Sequence, residues 1–169
     1  MTLAHEYHYT MLHVITGCMY SGKTTHLMKA AASGGLIIDY DTHTNHGFLT
    51  NHDNKCMPCY TIAKLSSIYP TEVDTLFINE AQFFDDLVPF VKKMLNLGKT
   101  IHVYGLDGDF KQESFGHILE LIPFADTYTK LYAICHTCKG KASFSKRMSS
   151  NLSQYSPHDE YIPVCRACL

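Results

Sequence analysis

The chain has 169 residues, 46% of them apolar, and a formal net charge of −2. That length points to one domain with a real core and room for a small appendage. The near-neutral balance supplies no basic field for nucleic acid, and no run reaches the ~18–20 apolar residues that cross a bilayer. Met1 to Thr10 lacks the charged-then-apolar order of a signal peptide, so a soluble, cytoplasmic protein is expected. Seven cysteines are many for a reducing compartment unless a metal occupies most of them.

Met11 to Thr16 is a short apolar run that reads as a buried strand. It leads into Gly17-Cys18-Met19-Tyr20-Ser21-Gly22-Lys23-Thr24, which fits G-x-x-x-x-G-K-[ST]. Leu27, Met28 and Ala31 follow at helical spacing. Strand, loop and helix are the context a phosphate loop needs. Glycines let backbone N–H groups turn inward, and the helix N-terminus adds positive potential. Lys23 then reaches the outer phosphates and the Thr24 hydroxyl ligates Mg²⁺. A chance Gly/Ser turn is the bland alternative.

The first helix is expected over about 24–32, ended by Ser33-Gly34-Gly35. Leu36 to Ile38 reads as a second buried strand. The polar stretch from Asp39 to Asn54 is too long for a simple connection and reads as a functional or mobile loop. Cys59 to Ile62 fits an edge strand and Ala63 to Ile68 a short helix. Asp74 to Asn79 is the next strand. A helix over about 85–97 follows, with Asp85 or Asp86 as N-cap and an apolar stripe of Leu87, Val88, Val91, Met94 and Leu95. Thr100 to Gly105 is a strand, Leu106 to Phe110 a turn, Ile118 to Ile122 a short helix before Pro123, and Tyr128 to Ile134 a strand. Short apolar strands alternating with helices predict an α/β fold, a parallel sheet flanked by helices. Composition shifts near Cys135, which predicts a phosphate-loop domain over 1–134 and a small zinc-ribbon-like domain over 135–169.

Three features carry candidate chemistry. Glu80 directly follows a buried strand, and strand C-termini in parallel sheets open onto the ligand crevice. A carboxylate there can take a proton from a substrate hydroxyl. The alternative is an ordinary solvent-facing Glu. Cys135-x-x-Cys138 and Cys165-x-x-Cys168 are two knuckles with 26 residues between them. They can present four thiolates to one structural zinc. Cys56-x-x-Cys59 is a third such pair, either unrelated thiols or a redox or metal half-site. Cys18 reads as space-filling. His43, His46 and His52 in the polar loop are either solvated, phosphate-adjacent or a metal cluster.

The phosphate loop near the N-terminus, the Glu80-Ala81-Gln82-Phe83-Phe84 step, Leu106-Asp107-Gly108-Asp109-Phe110 and the four-cysteine C-terminus together resemble the thymidine kinases of the cytosolic, bacterial and poxvirus type. The resemblance implies that Gly17 to Thr24 hold the ATP phosphates and that Glu80 is the catalytic base for the deoxyribose 5′-hydroxyl. It implies that Phe110 stacks on the thymine ring, that Phe115 continues the pocket wall and that Met19 approaches the base. It implies a closing loop over about 145–161, holding the nucleoside largely through backbone groups. Ser145, Leu152, Ser153, Gln154, Tyr155, Ser156 and Tyr161 are its expected substrate contacts.

The resemblance also implies a homotetramer working on a nucleoside and ATP, and the composition adds the expectation of no membrane or nucleic-acid partner. Several positions depart from the family. Its Asp before the Glu is Asn79, its Gly or Ser after it is Ala81, its D-T-R is Asp41-Thr42-His43, and Ser156-Pro157 replaces a frequent Gly-Gly. The first helix is about two turns shorter. With no charge at Asn79, Asp41 is the expected second Mg²⁺ ligand beside Thr24. Two rival readings remain. One is a catalytically altered nucleotide-binding regulator, motivated by Asn79 and His43. The other is a zinc-ribbon nucleic-acid binder using Lys139, Lys141, Lys146 and Arg147.

Overall fold

A computed structural model describes residues 10–41 and 47–169. His43, His46 and the N-terminal stretch lie outside the described residues. In chain order the elements are β1 (Leu12–Gly17), α1 (Lys23–Ala31), β2 (Leu36–Tyr40), β3 (Phe48–Thr50), β4 (Cys56–Pro58), β5 (Tyr60–Ile62), β6 (Thr75–Ile78), α2 (Leu87–Asn96), β7 (Thr100–Gly105), β8 (Thr127–Leu131), β9 (Ala133–Ile134), β10 (Lys141–Ala142), β11 (Phe144–Arg147) and β12 (Tyr161–Val164). Short 3₁₀ segments, the longest of them Ile118–Phe124, punctuate the connections.

Six strands form one sheet in the order β5-β2-β6-β7-β1-β8. Every pairing in it is parallel, with Leu12 opposite Ile101 and His13 opposite Thr127. Strands covered on both faces read as continuous apolar runs, which is why the runs were visible without alternation. The faces still divide by strand period. Leu12, Val14, Ile38, Leu76, Ile78, Ile101 and Val103 join α2 and the 3₁₀ turn at Ile118–Phe124 in one core. Ile15, Ile37, Phe77 and Tyr104 join Leu27, Met28 and Ala31 of α1 in the other. The α1 side also carries His102, stacked between His13 and Phe77. Burial and the neighbouring histidines pull its pKa down to about 4.

Several local expectations are corrected. Asp86 precedes α2, but its side chain makes no cap bond there. Its carboxylate instead accepts from the Leu65 and Ser66 amides at 3.1 and 2.8 Å, capping the neighbouring turn. The helix before Pro123 is a 3₁₀ segment that contains Pro123. The polar stretch after β2 holds a hairpin, β3 with β4, pinned to α1 by Asn51 Nδ2 donating to Thr25 Oγ1 at 3.1 Å. The expected strand over 128–134 is two strands. β8 extends the large sheet, and β9 pairs with β10. β11 pairs with β12, so the last strands form two small antiparallel ribbons around Ala133, Cys135, Ala142 and Val164. Cys18 packs into that small core, so it does fill space, but at the join between the phosphate loop and the cysteine-bearing ribbons.

Candidate active site

The phosphate loop follows the C-terminal end of β1, between the sheet and α1. A Cβ at Gly17 would come within 2.6 Å of the Leu131 carbonyl and the Ser21 hydroxyl, so only glycine lets the loop turn here. Lys23 is buried. Its ammonium donates to the Gly17 and Cys18 carbonyls at 3.0 and 2.9 Å. Burial pulls its pKa below the usual lysine range, and the Glu80 carboxylate opposes that shift. The Met19 amide donates to Ser145 Oγ at 2.9 Å, tying the loop to β11.

Two cavities meet at this loop. One, of about 220 Å³, is lined by residues from Met19 to Thr25, by His52 and by Glu80. The other, of about 410 Å³, has polar walls from Thr24, Asp39, Asn79 and Glu80, and apolar walls from Met19, Phe83, Leu106 and Tyr155. Its size is that of a small-molecule site. Met19, Thr24, Glu80 and Leu106 line both. One cavity is therefore walled by the glycine-bounded loop and the start of α1, the other by aromatic and hydrogen-bonding groups, and Glu80 stands at their junction.

Glu80 is held there firmly. Its backbone is left-handed, with φ 49° and ψ 39°, a conformation side chains other than glycine rarely adopt. Such strain concentrates at functional sites. The Glu80 carboxylate accepts from Gln82 Nε2 at 2.6 Å, and Gln82 Oε1 accepts from the Leu106 amide at 2.9 Å. Gln82 thus braces Glu80 against the end of β7. Gly116, with φ +59°, leaves room for this brace, because a Cβ there would collide with the Gln82 carbonyl. Beside it Asn79 Nδ2 donates to Asp39 Oδ1 at 2.9 Å, with both residues buried. Thr24, Asp39, Asn79 and Glu80 offer hard oxygen atoms, a donor set that suits Mg²⁺.

The other expected contacts divide. Met19 and Tyr155 reach the larger cavity. Asp41 does not line it, while Asp39, at the end of β2, does. Phe115 is buried behind the wall, edge-on to Phe83 at 5.4 Å. Phe83 is the hub of the aromatic wall and also meets Tyr155 and Tyr40. Phe110 lies away from the cavity lining, its ring 4.0 Å from the Arg147 guanidinium carbon. Ser145 serves the phosphate loop, and Leu152 is exposed. Ser153, Gln154 and Tyr161 are engaged with Arg147, and the Ser156 amide donates to the Tyr161 hydroxyl. Asp39, Gln82, Phe83 and Arg147 are the additions to the expected set. Asp39 was findable as the last charged residue of an apolar strand. Arg147 carries no sequence signal. It is buried, Lys139 and Lys146 bond to backbone carbonyls and Lys141 sits over Tyr132, so the four form no continuous basic stripe.

The sulfurs of Cys135, Cys138, Cys165 and Cys168 lie within 4.8 Å of one another. Cys138 and Cys165 sulfurs are 3.6 Å apart, close to the ~3.8 Å edge of a zinc–thiolate tetrahedron with ~2.3 Å bonds. Backbone amides, that of Cys138 foremost, pull the Cys135 thiol down to about 6, while its hydrogen bonds with the neighbouring thiols, that of Cys165 foremost, push the Cys168 thiol up to about 12, so the cluster holds protons that a bound metal would displace. The residues therefore fit a closed, four-thiolate zinc site. Cys56 is exposed and meets Thr50, whereas Cys59 packs against the Leu49 core. Among the described residues the four C-terminal cysteines are the group of three or more His, Cys, Asp or Glu side chains close enough to hold one metal ion. His52 stacks on Tyr20 at 4.9 Å beside the smaller cavity, the phosphate-adjacent reading of that residue.

Residues 10–169 match the family described as thymidine kinase. The chain is 40% identical to the thymidine kinase of Fowlpox virus (strain NVSL), over 93% of this chain and 95% of that protein. It is 39% identical to the thymidine kinase of Yaba monkey tumor virus (strain VR587), over 93% of each. It is 37% identical to the cytosolic thymidine kinase of Gallus gallus, over 93% of this chain and 75% of that protein.

Proposed function

The chain belongs to the thymidine kinase family, and from that premise we propose how its own residues transfer the γ-phosphoryl group of ATP to the 5′-hydroxyl of thymidine. The observation that carries the reading is Glu80, braced by Gln82 where the phosphate-loop cavity opens into the aromatic-walled one. A nucleoside in the larger cavity brings its 5′-hydroxyl toward Glu80. ATP lays its phosphates along Gly17 to Thr24. Glu80 accepts the hydroxyl proton as the 5′-oxygen bonds to the γ-phosphorus and the bond from that phosphorus to the β,γ-bridging oxygen breaks, which leaves ADP. Lys23 and the loop amides stabilise charge developing on the transferred group. The Thr24 hydroxyl and the Asp39 carboxylate, both on the wall of the larger cavity, would hold Mg²⁺, which would neutralise phosphate charge. Nothing in the site favours an inactive regulator. We further propose division at residue 134, assembly as a homotetramer and residence in the cytoplasm. No helix among the described residues is long and apolar enough to cross a membrane.

The direct test is ADP release with thymidine, deoxyuridine and deoxycytidine, with and without Mg²⁺. Thymidine- and Mg²⁺-dependent release is expected, and nucleotide binding without it would sink the reading.

Two site predictions follow from the metals. Cys138→Ser removes one thiolate from the cluster. Zinc is expected at one per chain in the reduced parent and absent from the variant, with a lowered Tm because metal binding and folding are coupled. Metal analysis finding full zinc in the variant, or none in the parent, contradicts the assignment. Asn79→Asp replaces a 2.9 Å amide–carboxylate bond with two facing carboxylates, which disfavours both being ionised. Without metal the variant should lose about 1–3 kcal/mol, the cost of an unmade buried bond. Mg²⁺ should raise its Tm more than that of the parent. Equal responses to Mg²⁺ would move the metal away from Asp39.

A further inference from the structure

Arg147 is a buried charge that phosphoryl transfer does not use. It ends β11, opposite Tyr161 at the start of β12, so it stands at the root of the loop over 148–160. All five of its N–H groups find acceptors. Nε donates to the Tyr161 hydroxyl at 3.0 Å. Nη1 donates to the carbonyls of Asn151 and Ser153 at 2.7 and 2.5 Å. Nη2 donates to the Gln154 carbonyl at 3.3 Å and again to the Tyr161 hydroxyl. Asp159 supplies the counter-charge, 3.3 Å from Nε. The guanidinium face covers the Phe110 ring.

Resting on the thymidine kinase reading, we infer that Arg147 is the positioning residue that sets the shape of the nucleoside site, by gathering the closing loop and Phe110 onto one guanidinium. The loop has little aliphatic surface to hold it, since Met148 and Leu152 are 55% and 76% exposed. Polar bonds must therefore fix its path. With the carbonyls of 151, 153 and 154 drawn onto Arg147, Gln154 Nε2 reaches Asp109 at 3.1 Å. The next residue, Tyr155, turns into the cavity against Phe83 at 4.8 Å. Arg147 touches neither cavity and has no part in the phosphate loop. Its effect falls on nucleoside binding and not on the chemical step. Only a planar five-donor group spans these acceptors, so lysine, with three donors on one nitrogen, is no substitute.

The test is steady-state kinetics on Arg147→Lys and on Asp159→Asn, which removes the counter-charge from outside the cavity. Arg147→Lys should raise the thymidine KM about tenfold or more, the loss of a hydrogen bond to a charged group. The smaller rise in Asp159→Asn should be about two- to fivefold, because the five N–H bonds of Arg147 stay in place and one buried ionic partner is lost. In both, kcat and the ATP KM stay within about twofold, the signature of lost uniform binding. Limited proteolysis of the nucleoside-free protein should cut within 148–160 faster in both variants at unchanged zinc content. An unchanged thymidine KM and cleavage rate in Asp159→Asn overturns the inference even if Arg147→Lys fails to fold. So does a loss confined to kcat. A parent protein without thymidine-dependent turnover would instead fail the function itself, leaving the proteolysis comparison to judge Arg147.

Discussion

Glu80→Gln lowers kcat by about 10²–10⁴-fold, the usual range for a general base, and leaves nucleoside affinity nearly unchanged. The structure makes this substitution a clean one. Gln82 Nε2 donates to the Glu80 carboxylate at 2.6 Å, and an amide oxygen in its place still accepts that bond. The left-handed backbone at 80 is unaltered by exchanging one flat side chain for its isostere. What is lost is the capacity to take a proton. Nucleoside Kd measured beside single-turnover rates separates binding from chemistry. A near-normal single-turnover rate removes Glu80 from proton transfer. Loss of nucleoside binding outright makes it a substrate anchor.

Lys23→Ala is expected to cost at least about 10²–10³-fold in kcat, the price of one preorganised donor facing developing charge. The ammonium holds the Gly17 and Cys18 carbonyls. The variant therefore loses a tie within the loop as well as a charge for the phosphates, and the ATP KM should rise with the fall in kcat. The hydrogen bonds of Lys23 go to the Gly17 and Cys18 carbonyls and to Ser21, so it meets the sheet at the last residue of β1, and zinc content and the far-UV spectrum should match the parent. Wild-type kcat in Lys23→Ala would show that the loop does not bind the transferred phosphate.

These two residues were legible in the sequence for one reason. The phosphate loop and the carboxylate after a buried strand are local devices, read from residues adjacent in the chain. Parallel strands also announce themselves, because burial on both faces makes each an unbroken apolar run. The strand boundaries of β1, β6 and β7 come out within a residue or so for that reason. The four cysteines are equally local, two knuckles whose spacing alone suits one metal.

What only the tertiary structure decided depends on residues far apart. Asp39 enters the site because β2 lies beside β6, which sets Asp39 against Asn79, forty positions along the chain. Asp86 looks like a helix cap, yet the neighbouring turn at Leu65 competes for its carboxylate and takes it. Ser145 turns from an expected substrate contact into a brace for Met19, because β11 folds back onto the phosphate loop. Arg147 reads as one of four basic residues on a polar stretch, and burial under Phe110 and Tyr161 gives it another part. Side-chain partners across such distances follow from packing and closure of the sheet, and neither spacing nor periodicity encodes them.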